Sequence, residues 1–249
     1  MSAFLNCPIY DEVNVQIPVI QYHKIDSPGR GVLVRGGFTP PARFARQMAY
    51  LKKRGFVFYT ASEMIGFYLQ NDVFPPNGIA VTFDDGWKDN YTNAFPILKR
   101  LGIKATIFIV PSCIGEVSSK AMAEGESERE HLTREEIIEM SADGVEFGSH
   151  SMNHKLLDRV SPQEVKYEVE ESKKHLEDLL QQPCKTFAYP GGFYSEASQR
   201  MIENAGYSAA FSTVFGPHDA MDLYAINRVE IFRRDRFLYQ FKRKVEPLR

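Results

Sequence analysis

Two adjacent carboxylates, Asp84 and Asp85, stand just before Gly86 at the end of an apolar run, Ile79–Phe83, in a chain of 249 residues. Neighbouring carboxylates repel each other and lose hydration, so they persist only with a cation or a hydrogen-bond network between them. Side chains alternate along a strand, so both can face one site only where the strand breaks, and Gly86 supplies the break. Further on, Val145–Gly148 is followed by Ser149-His150-Ser151-Met152-Asn153-His154. The i, i+4 spacing predicts two imidazoles on one face of a helical turn. With Asp85 they make a set of two nitrogens and one oxygen that can hold a divalent ion and leave a position for water. An ion held this way would lower the pKa of its water and polarise a carbonyl oxygen. Asp84 is then not needed as a ligand and is expected to be the general base. Taken singly, each pair has a plainer reading, an aspartate capping a helix or two histidines in packing. Their conjunction is what points to hydrolysis.

Other strand ends add candidates. Thr186–Tyr189 runs into Pro190-Gly191-Gly192, where glycine lets a backbone N–H approach a substrate closely enough to donate to an oxyanion, or simply makes a tight turn. Ile17–Tyr22 ends at His23, a histidine that could protonate a leaving amine or sit satisfied in the core. His131, His175 and His218 lie in polar or helix-surface contexts and receive no role.

These groups need elements to position them. Apolar, β-branched runs recur at Ile17–Tyr22, Phe56–Tyr59, Ile79–Phe83, Ala105–Val110, Val145–Gly148, Thr186–Tyr189, Tyr207–Phe211 and Ile226–Ile231. Helical patterns lie between them. Thr39-Pro40 opens one with Phe44, Met48 and Leu51 on one face and Gly55 at its stop. Thr60 with Glu63 and Thr133 with Glu136 form capping boxes. Ser161, Pro162 and Glu164 open the longest helix, with Val165, Val169, Leu176 and Leu180 as its buried stripe and its Glu and Lys residues in water. Asn90–Leu101 has helical period and is shortened or kinked by Pro96. Ser195–Ala205 ends at Gly206. Strand–helix alternation of this kind implies an α/β fold of mostly parallel strands, expected as a single closed (β/α) barrel of seven or eight strands, with an open doubly wound sheet as the alternative. Chemistry in such folds sits on the loops after the strands. The acidic stretch Glu116–Glu130 is expected as an exposed loop, or less readily as a lid. The basic tail Arg233–Arg249, with Phe237, Leu238, Phe241 and Val245 near one face, is expected as a terminal helix docked on the body; contact with an anionic glycan or a membrane surface is the alternative.

Composition removes other classes. Hydrophobic residues are 43%, charged 25%, and 30 Lys+Arg against 32 Asp+Glu give a net charge of −2, so no nucleic-acid partner is expected. Three cysteines, Cys7, Cys113 and Cys184, without a CxxC pair argue against a disulfide scaffold and a zinc knot. The first twenty residues have no early Lys or Arg and carry Asp11 and Glu12, so no signal peptide is read and a cytoplasmic location is expected, or a periplasmic or extracellular one if a leader has been removed. No apolar run reaches spanning length.

Thr82-Phe83-Asp84-Asp85-Gly86 followed by His150-Ser-Met-Asn-His154 resembles the polysaccharide deacetylase family, also called carbohydrate esterase family four or the NodB homology domain. The resemblance runs from about residue 17 to 231 of a single domain spanning 1–249. It implies a distorted barrel, one divalent metal, usually Zn2+ with Co2+, Ni2+ or Fe2+ as alternatives, and hydrolysis of N-acetyl, sometimes O-acetyl, groups on an acetylated carbohydrate. By position Asp84 resembles the base, and Asp85, His150 and His154 the metal ligands. The family's third motif usually carries an arginine, absent from Phe187-Ala188-Tyr189-Pro190-Gly191-Gly192; Arg228 is the candidate replacement, and Gly191 falls where the oxyanion donor would be. Val19-Ile20-Gln21-Tyr22-His23 resembles the first strand of a permuted branch that contains poly-N-acetylglucosamine deacetylases, which makes His23 the expected general acid. Trp87, Tyr189 and Pro190 are expected at the substrate, with Tyr91, Phe193 and Tyr194 as further rings able to stack on sugar. Two rivals stand: a metal-free amidohydrolase or imidase acting on small cyclic amides, and a non-catalytic glycan-binding relative.

Overall fold

The computed structural model describes residues 18–29, 32, 35–118, 128–213 and 221–248. Among them nine short strands form one sheet: β1 (Val19–Tyr22), β2 (Val57–Tyr59), β3 (Gly78–Phe83), β4 (Thr106–Ile109), β5 (Glu146–Ser149), β6 (Thr186–Ala188), β7 (Ala209–Ser212), β8 (Ile226–Asn227) and β9 (Val229–Glu230). The order is β8-β7-β6-β5-β4-β3-β1-β9, and every pairing is parallel. β2 and β4 share one edge of β3, with β2 along Gly78–Ala80 and β4 along Thr82–Phe83.

The predicted strand Ile226–Ile231 is one extended segment divided at Arg228. Its first half pairs with β7 and its second half with β1. One segment thus spans the gap between the two ends of the sheet, which makes the sheet a nearly closed barrel.

Helices cover the outside: α1 (Pro41–Lys53), α2 (Ala61–Asn71), α3 (Phe95–Leu101), α4 (Arg134–Ala142), α5 (Pro162–Leu180), α6 (Glu196–Asn204) and α7 (Leu238–Val245). The capping boxes at Thr60 and Thr133 form as the sequence predicts, and Ser161 with Glu164 adds a third. Pro96 falls in the first turn of α3, and the residues before it, Asn90–Ala94, form a π-helical turn. In α5 the buried stripe is Val165, Val169, Leu176 and Leu179 rather than Leu180, and Glu168 is fully buried instead of wet. In α7 Phe241 and Val245 are buried against the body, whereas Phe237 and Leu238 are exposed. Residues 119–127 of the acidic stretch, and His218, lie outside the described residues. None of the described helices is long and apolar enough to cross a membrane.

The period-two alternation of the strands sorts the core into two clusters. One faces the helices and contains Ile20, Tyr22, Val81, Phe83, Ile107, Ile109 and Phe187. The other fills the barrel and contains Val19, Ala80, Phe108, Ala188, Ala209, Phe211 and Ile226. The first turns of α2 close the floor: Ala61 and Ile65 pack on the inner cluster, and the Ser62 N–H donates to Glu146. Small interior residues leave room above. A side chain at Gly148 would collide with Phe108 and Thr186, at 2.6 and 2.7 Å. Followed two residues at a time, the interior positions emerge at the open end as Gln21 and His23, Thr82 and Asp84, Gly148 and His150, Phe211 and Thr213, and Arg228 and Glu230.

Candidate active site

A cavity of about 180 Å³ opens at the strand ends. It is lined by His23, Asp84, Asp85, His150, His154 and Gly191, together with Gln21, Gly192, Thr213 and Glu230. Residues distant in the chain are therefore brought to one place.

Asp84 continues the interior face of β3 and is almost fully buried. Both its oxygens are gripped by Arg228, Nη1 to Oδ1 at 2.7 Å and Nη2 to Oδ2 at 2.8 Å, and Oδ2 also accepts from Gln21 Nε2 at 2.5 Å. Burial pushes the Asp84 carboxyl up, but the guanidinium and the nearby His150 outweigh it and hold the group below its ordinary range. Asp84 is thus an anion with fixed orientation.

Asp85 would point out of the barrel if the strand continued. Instead it adopts φ +73°, followed by Gly86 at φ +67°. A Cβ at Gly86 would lie 2.6 Å from Ile109 Cδ1, so glycine is needed there both for its backbone angle and for space. The turn swings the Asp85 carboxylate beside Asp84. Its Oδ1 lies 3.5 Å from His150 Nε2 and 3.3 Å from His154 Nε2. Burial raises the Asp85 carboxyl, and the hydrogen bond and charge of His154, with His23 and His150, bring it well below the usual carboxylate range.

The two histidines converge differently from the sequence expectation. Residues 150–154 form a loop, not a helical turn, with Ser151 at φ +61° and His154 at φ +56°. Glu168, inside α5, holds this loop: its Oε2 accepts the Asn153 N–H at 2.7 Å, its Oε1 accepts Asn153 Nδ2 at 2.8 Å, and its backbone carbonyl accepts the Met152 N–H at 3.0 Å. His150 Nδ1 lies 2.7 Å from the Ala188 carbonyl, which makes Nδ1 the protonated nitrogen and leaves Nε2 bare toward Asp85. Burial lowers the His150 pKa to about 4, so its ring is neutral at neutral pH.

The donor set fits a divalent cation. One ligand atom each from Asp85, His150 and His154 lies within 4.8 Å of the others. The partners outside the set are also of the kind a metal site uses. Trp87 Nε1 donates to Asp85 Oδ2 at 2.9 Å, and His131, stacked on Trp87 with centroids 4.2 Å apart, has Nδ1 3.0 Å from the Asp85 carbonyl.

His23 lines the cavity from the end of β1, and its carbonyl accepts Asn90 Nδ2 at 2.9 Å. Among the described residues no carboxylate hydrogen-bonds its ring. Gly191 adopts φ +66° in a tight turn at the rim, where a Cβ would press on Leu156 and Phe193 at 3.0 and 3.2 Å. The Gly192 N–H is taken by the Tyr189 carbonyl, so Gly191 is the better placed of the two glycines to present an amide.

Three expectations need correcting. Trp87 is buried with His131 on its ring and Lys24 Nζ 4.4 Å from its centroid, so it orients Asp85 and offers no sugar platform. Tyr189 is fully buried and its hydroxyl donates to the Tyr224 carbonyl at 2.8 Å. Pro190 is buried beneath the turn. Phe193, by contrast, is 48% exposed at the rim next to Gly191. Gln21, Glu168 and Glu230 escaped the sequence reading. Gln21 and Glu230 carried a signal, since each lies two residues from an interior group, His23 and Arg228 respectively. Glu168 carried none, because a glutamate among the glutamates of a helix gives no hint of burial.

Comparison with known proteins agrees with the geometry. The profile of the polysaccharide deacetylase family matches residues 71–210. The Bacillus subtilis (strain 168) protein YxkH is 31% identical over 224 residues, 90% of this chain and 74% of that protein. The poly-beta-1,6-N-acetyl-D-glucosamine N-deacetylase of Staphylococcus aureus (strain MSSA476) is 30% identical over 180 residues, and the match takes in 69% of this chain and only 59% of that protein's length. Among solved structures, the Streptococcus pyogenes deacetylase PplD in complex with acetate superposes with a TM-score of 0.79 at 26% identity, covering 94% of this chain and 99% of PplD. IcaB from Ammonifex degensii shares the fold, with a TM-score of 0.74 at 24% identity over 88% of this chain and 93% of that one.

Proposed function

The chain belongs to the polysaccharide deacetylase family, and we propose that it hydrolyses N-acetyl groups on an N-acetylhexosamine-containing carbohydrate, aided by one divalent cation. Asp85, His150 and His154 would hold that cation, and two imidazoles with one carboxylate suit Zn2+ best, with Co2+, Ni2+ and Fe2+ as alternatives. The single observation that carries the reading is the pairing of this cluster with Asp84, a carboxylate held next to it but committed to Arg228 instead of to the cluster.

A cation in the cluster would supply Lewis acidity to the acetyl carbonyl and to a water molecule. The remaining work falls to side chains. Asp84 is anionic, so a carboxylate oxygen can take the proton of the attacking water, and Arg228 and Gln21 keep it aimed while it does so. The Gly191 N–H at the rim can donate to the oxyanion of the tetrahedral intermediate. His23, at the end of β1 next to the strand that carries the base, can deliver a proton to the departing sugar nitrogen, so that the amine leaves neutral and acetate remains.

The rivals fare less well. A metal-free amidohydrolase has no use for three convergent ligand atoms with oriented outer partners. A non-catalytic glycan binder has no use for a buried aspartate charged by a bidentate arginine. The relative PplD is a deacetylase solved with acetate, the product expected here. Metal analysis of the purified protein with an acetate-release assay on N-acetylglucosamine oligomers tests the reading. Asp84→Asn is expected to keep the metal and lose at least about a hundredfold in turnover, the lower range for a removed general base, while His150→Ala loses the metal. Full activity in Asp84→Asn would refute the assignment of the base.

A further inference from the structure

The cavity contains one charged group that the hydrolysis leaves unused. Glu230 ends β9, in register with Gln21 of β1, and lines the cavity. Its carboxylate is half-buried, and burial raises its pKa, with His23, Arg228 and Lys244 pulling the other way and Asp84 adding to the rise. The neighbouring arginine and lysine are occupied elsewhere. Arg228, two residues earlier on the same edge, spends its guanidinium on Asp84. Lys244 Nζ donates to the Glu230 backbone carbonyl at 2.7 Å and to Asp235 Oδ2 at 2.7 Å, fixing the strand end without touching the Glu230 carboxylate. His23 makes no ion pair or hydrogen bond with it. Among the described residues the Glu230 side chain has no hydrogen-bond donor at all. A half-buried carboxylate that lines the cavity with no protein donor is an acceptor open to an entering ligand. The backbone of β9 is pinned on both sides, by Lys244 and by the Ile231 N–H donating to the Gln21 carbonyl at 2.9 Å, so the side chain cannot retreat by shifting the strand.

Resting on the proposed deacetylase reading, we propose that Glu230 accepts a hydroxyl hydrogen bond from the hexosamine ring that bears the acetyl group. It is the residue that makes the site read the sugar and not only the acetyl. The reacting amide is served by the metal cluster, Asp84 and His23; a ring hydroxyl is what remains for an acceptor on the β9 side of the same cavity. The absence of a bond to His23 separates this role from one of orienting the acid.

The test compares the parent protein with Glu230→Ala and Glu230→Gln, all with checked metal content and melting temperature. Calorimetric binding of the N-acetylglucosamine trimer is measured alongside turnover of the trimer and of p-nitrophenyl acetate, which carries no sugar. A hydrogen bond to a charged group is worth about 1.5–3 kcal/mol, roughly ten- to a hundredfold. Glu230→Ala is expected to weaken trimer binding and lower trimer kcat/KM by that factor, Glu230→Gln to recover part of it, and p-nitrophenyl acetate hydrolysis to fall far less than trimer turnover in both. Unchanged trimer binding, or equal losses on the trimer and the ester, would overturn the proposal. A parent protein that binds the trimer but releases no acetate refutes the deacetylase reading while the binding comparison still decides Glu230. A parent that binds no trimer overturns both.

Discussion

Arg228 and Asp84, 144 residues apart, form a two-pronged ion pair in the barrel interior, with both contacts under 3 Å and both side chains almost fully buried. A buried pair of this kind is poor evidence for stability, since desolvating both charges offsets most of their attraction. Its worth lies in geometry. The fork fixes the plane of the Asp84 carboxylate and keeps it charged where burial alone would neutralise it.

Removing the guanidinium should therefore change a pH profile as well as a rate. In Arg228→Met the cation that lowers the Asp84 pKa is gone and burial is left unopposed. The acid limb of kcat/KM is expected to move to higher pH, with activity at neutral pH reduced at least about tenfold and folding stability lowered by about 3–5 kcal/mol. A variant with an unmoved acid limb would show that Arg228 does not set the charge of the base.

The metal-free protein should lose stability on acidification in a defined window. His150 has its pKa lowered by burial to about 4 from an ordinary 6.5, so between those values the unfolded chain binds a proton that the folded chain refuses. Stability falls as pH drops through about 6.5 and levels near 4, by on the order of 3 kcal/mol. Asp84 acts lower: its depressed pKa contributes stability above the ordinary carboxylate range that is lost as pH falls through the folded value. Denaturant melts of the chelated protein from pH 7 to 4 check this, and His150→Gln should flatten the upper part of the curve.

Trp87 and Glu168 touch no substrate, yet both should control metal affinity. Trp87→Phe removes the donor to Asp85 Oδ2, and Glu168→Gln replaces an acceptor pair matched to two donors of Asn153. Each is expected to weaken zinc binding by about 10–100-fold, the usual effect of deleting an outer partner. Competition with a chromophoric chelator measures it; unchanged affinity in both would mean that the loop and the aspartate hold their positions without help.

Gly86→Ala should be disproportionately harmful for one methyl group. The φ of +67° and the 2.6 Å approach to Ile109 Cδ1 both oppose a Cβ. A loss of about 1–3 kcal/mol, together with reduced metal occupancy, is expected from thermal melts and metal analysis. Gly55, after α1, with φ +81° but nothing within 4 Å, should tolerate alanine better.

Phe193 is the exposed ring beside the cavity. Phe193→Ala is expected to raise KM for N-acetylglucosamine oligomers several-fold, in line with about 0.5–1.5 kcal/mol for a ring contact, with kcat little changed. Equal KM values would remove Phe193 from the binding surface.

Much of this was legible in the residues. The strand and helix positions followed from apolar period and caps, because those signals are local. Asp84, Asp85, His150 and His154 stood out as polar groups at strand ends, where an α/β fold puts chemistry, and Arg228 entered through the family resemblance as the stand-in for a missing arginine. The rings were misjudged for a physical reason. Trp87, Tyr189 and Phe193 all flank motifs, and only packing distinguishes a ring covered by His131 or bonded to the Tyr224 carbonyl from one left at the rim. The loop bringing His154 to Asp85 was misjudged because an i, i+4 spacing has two solutions, and the one adopted depends on Glu168, a residue that reaches back from α5.

The segment at residues 226–230 joins the two ends of the sheet and supplies the counter-charge for Asp84 in the same stroke. During synthesis the motif-bearing strands leave the ribosome long before that segment does. A chain ending before residue 226 would keep the motif-bearing strands and lose both the strand that bridges the sheet ends and the counter-charge of Asp84.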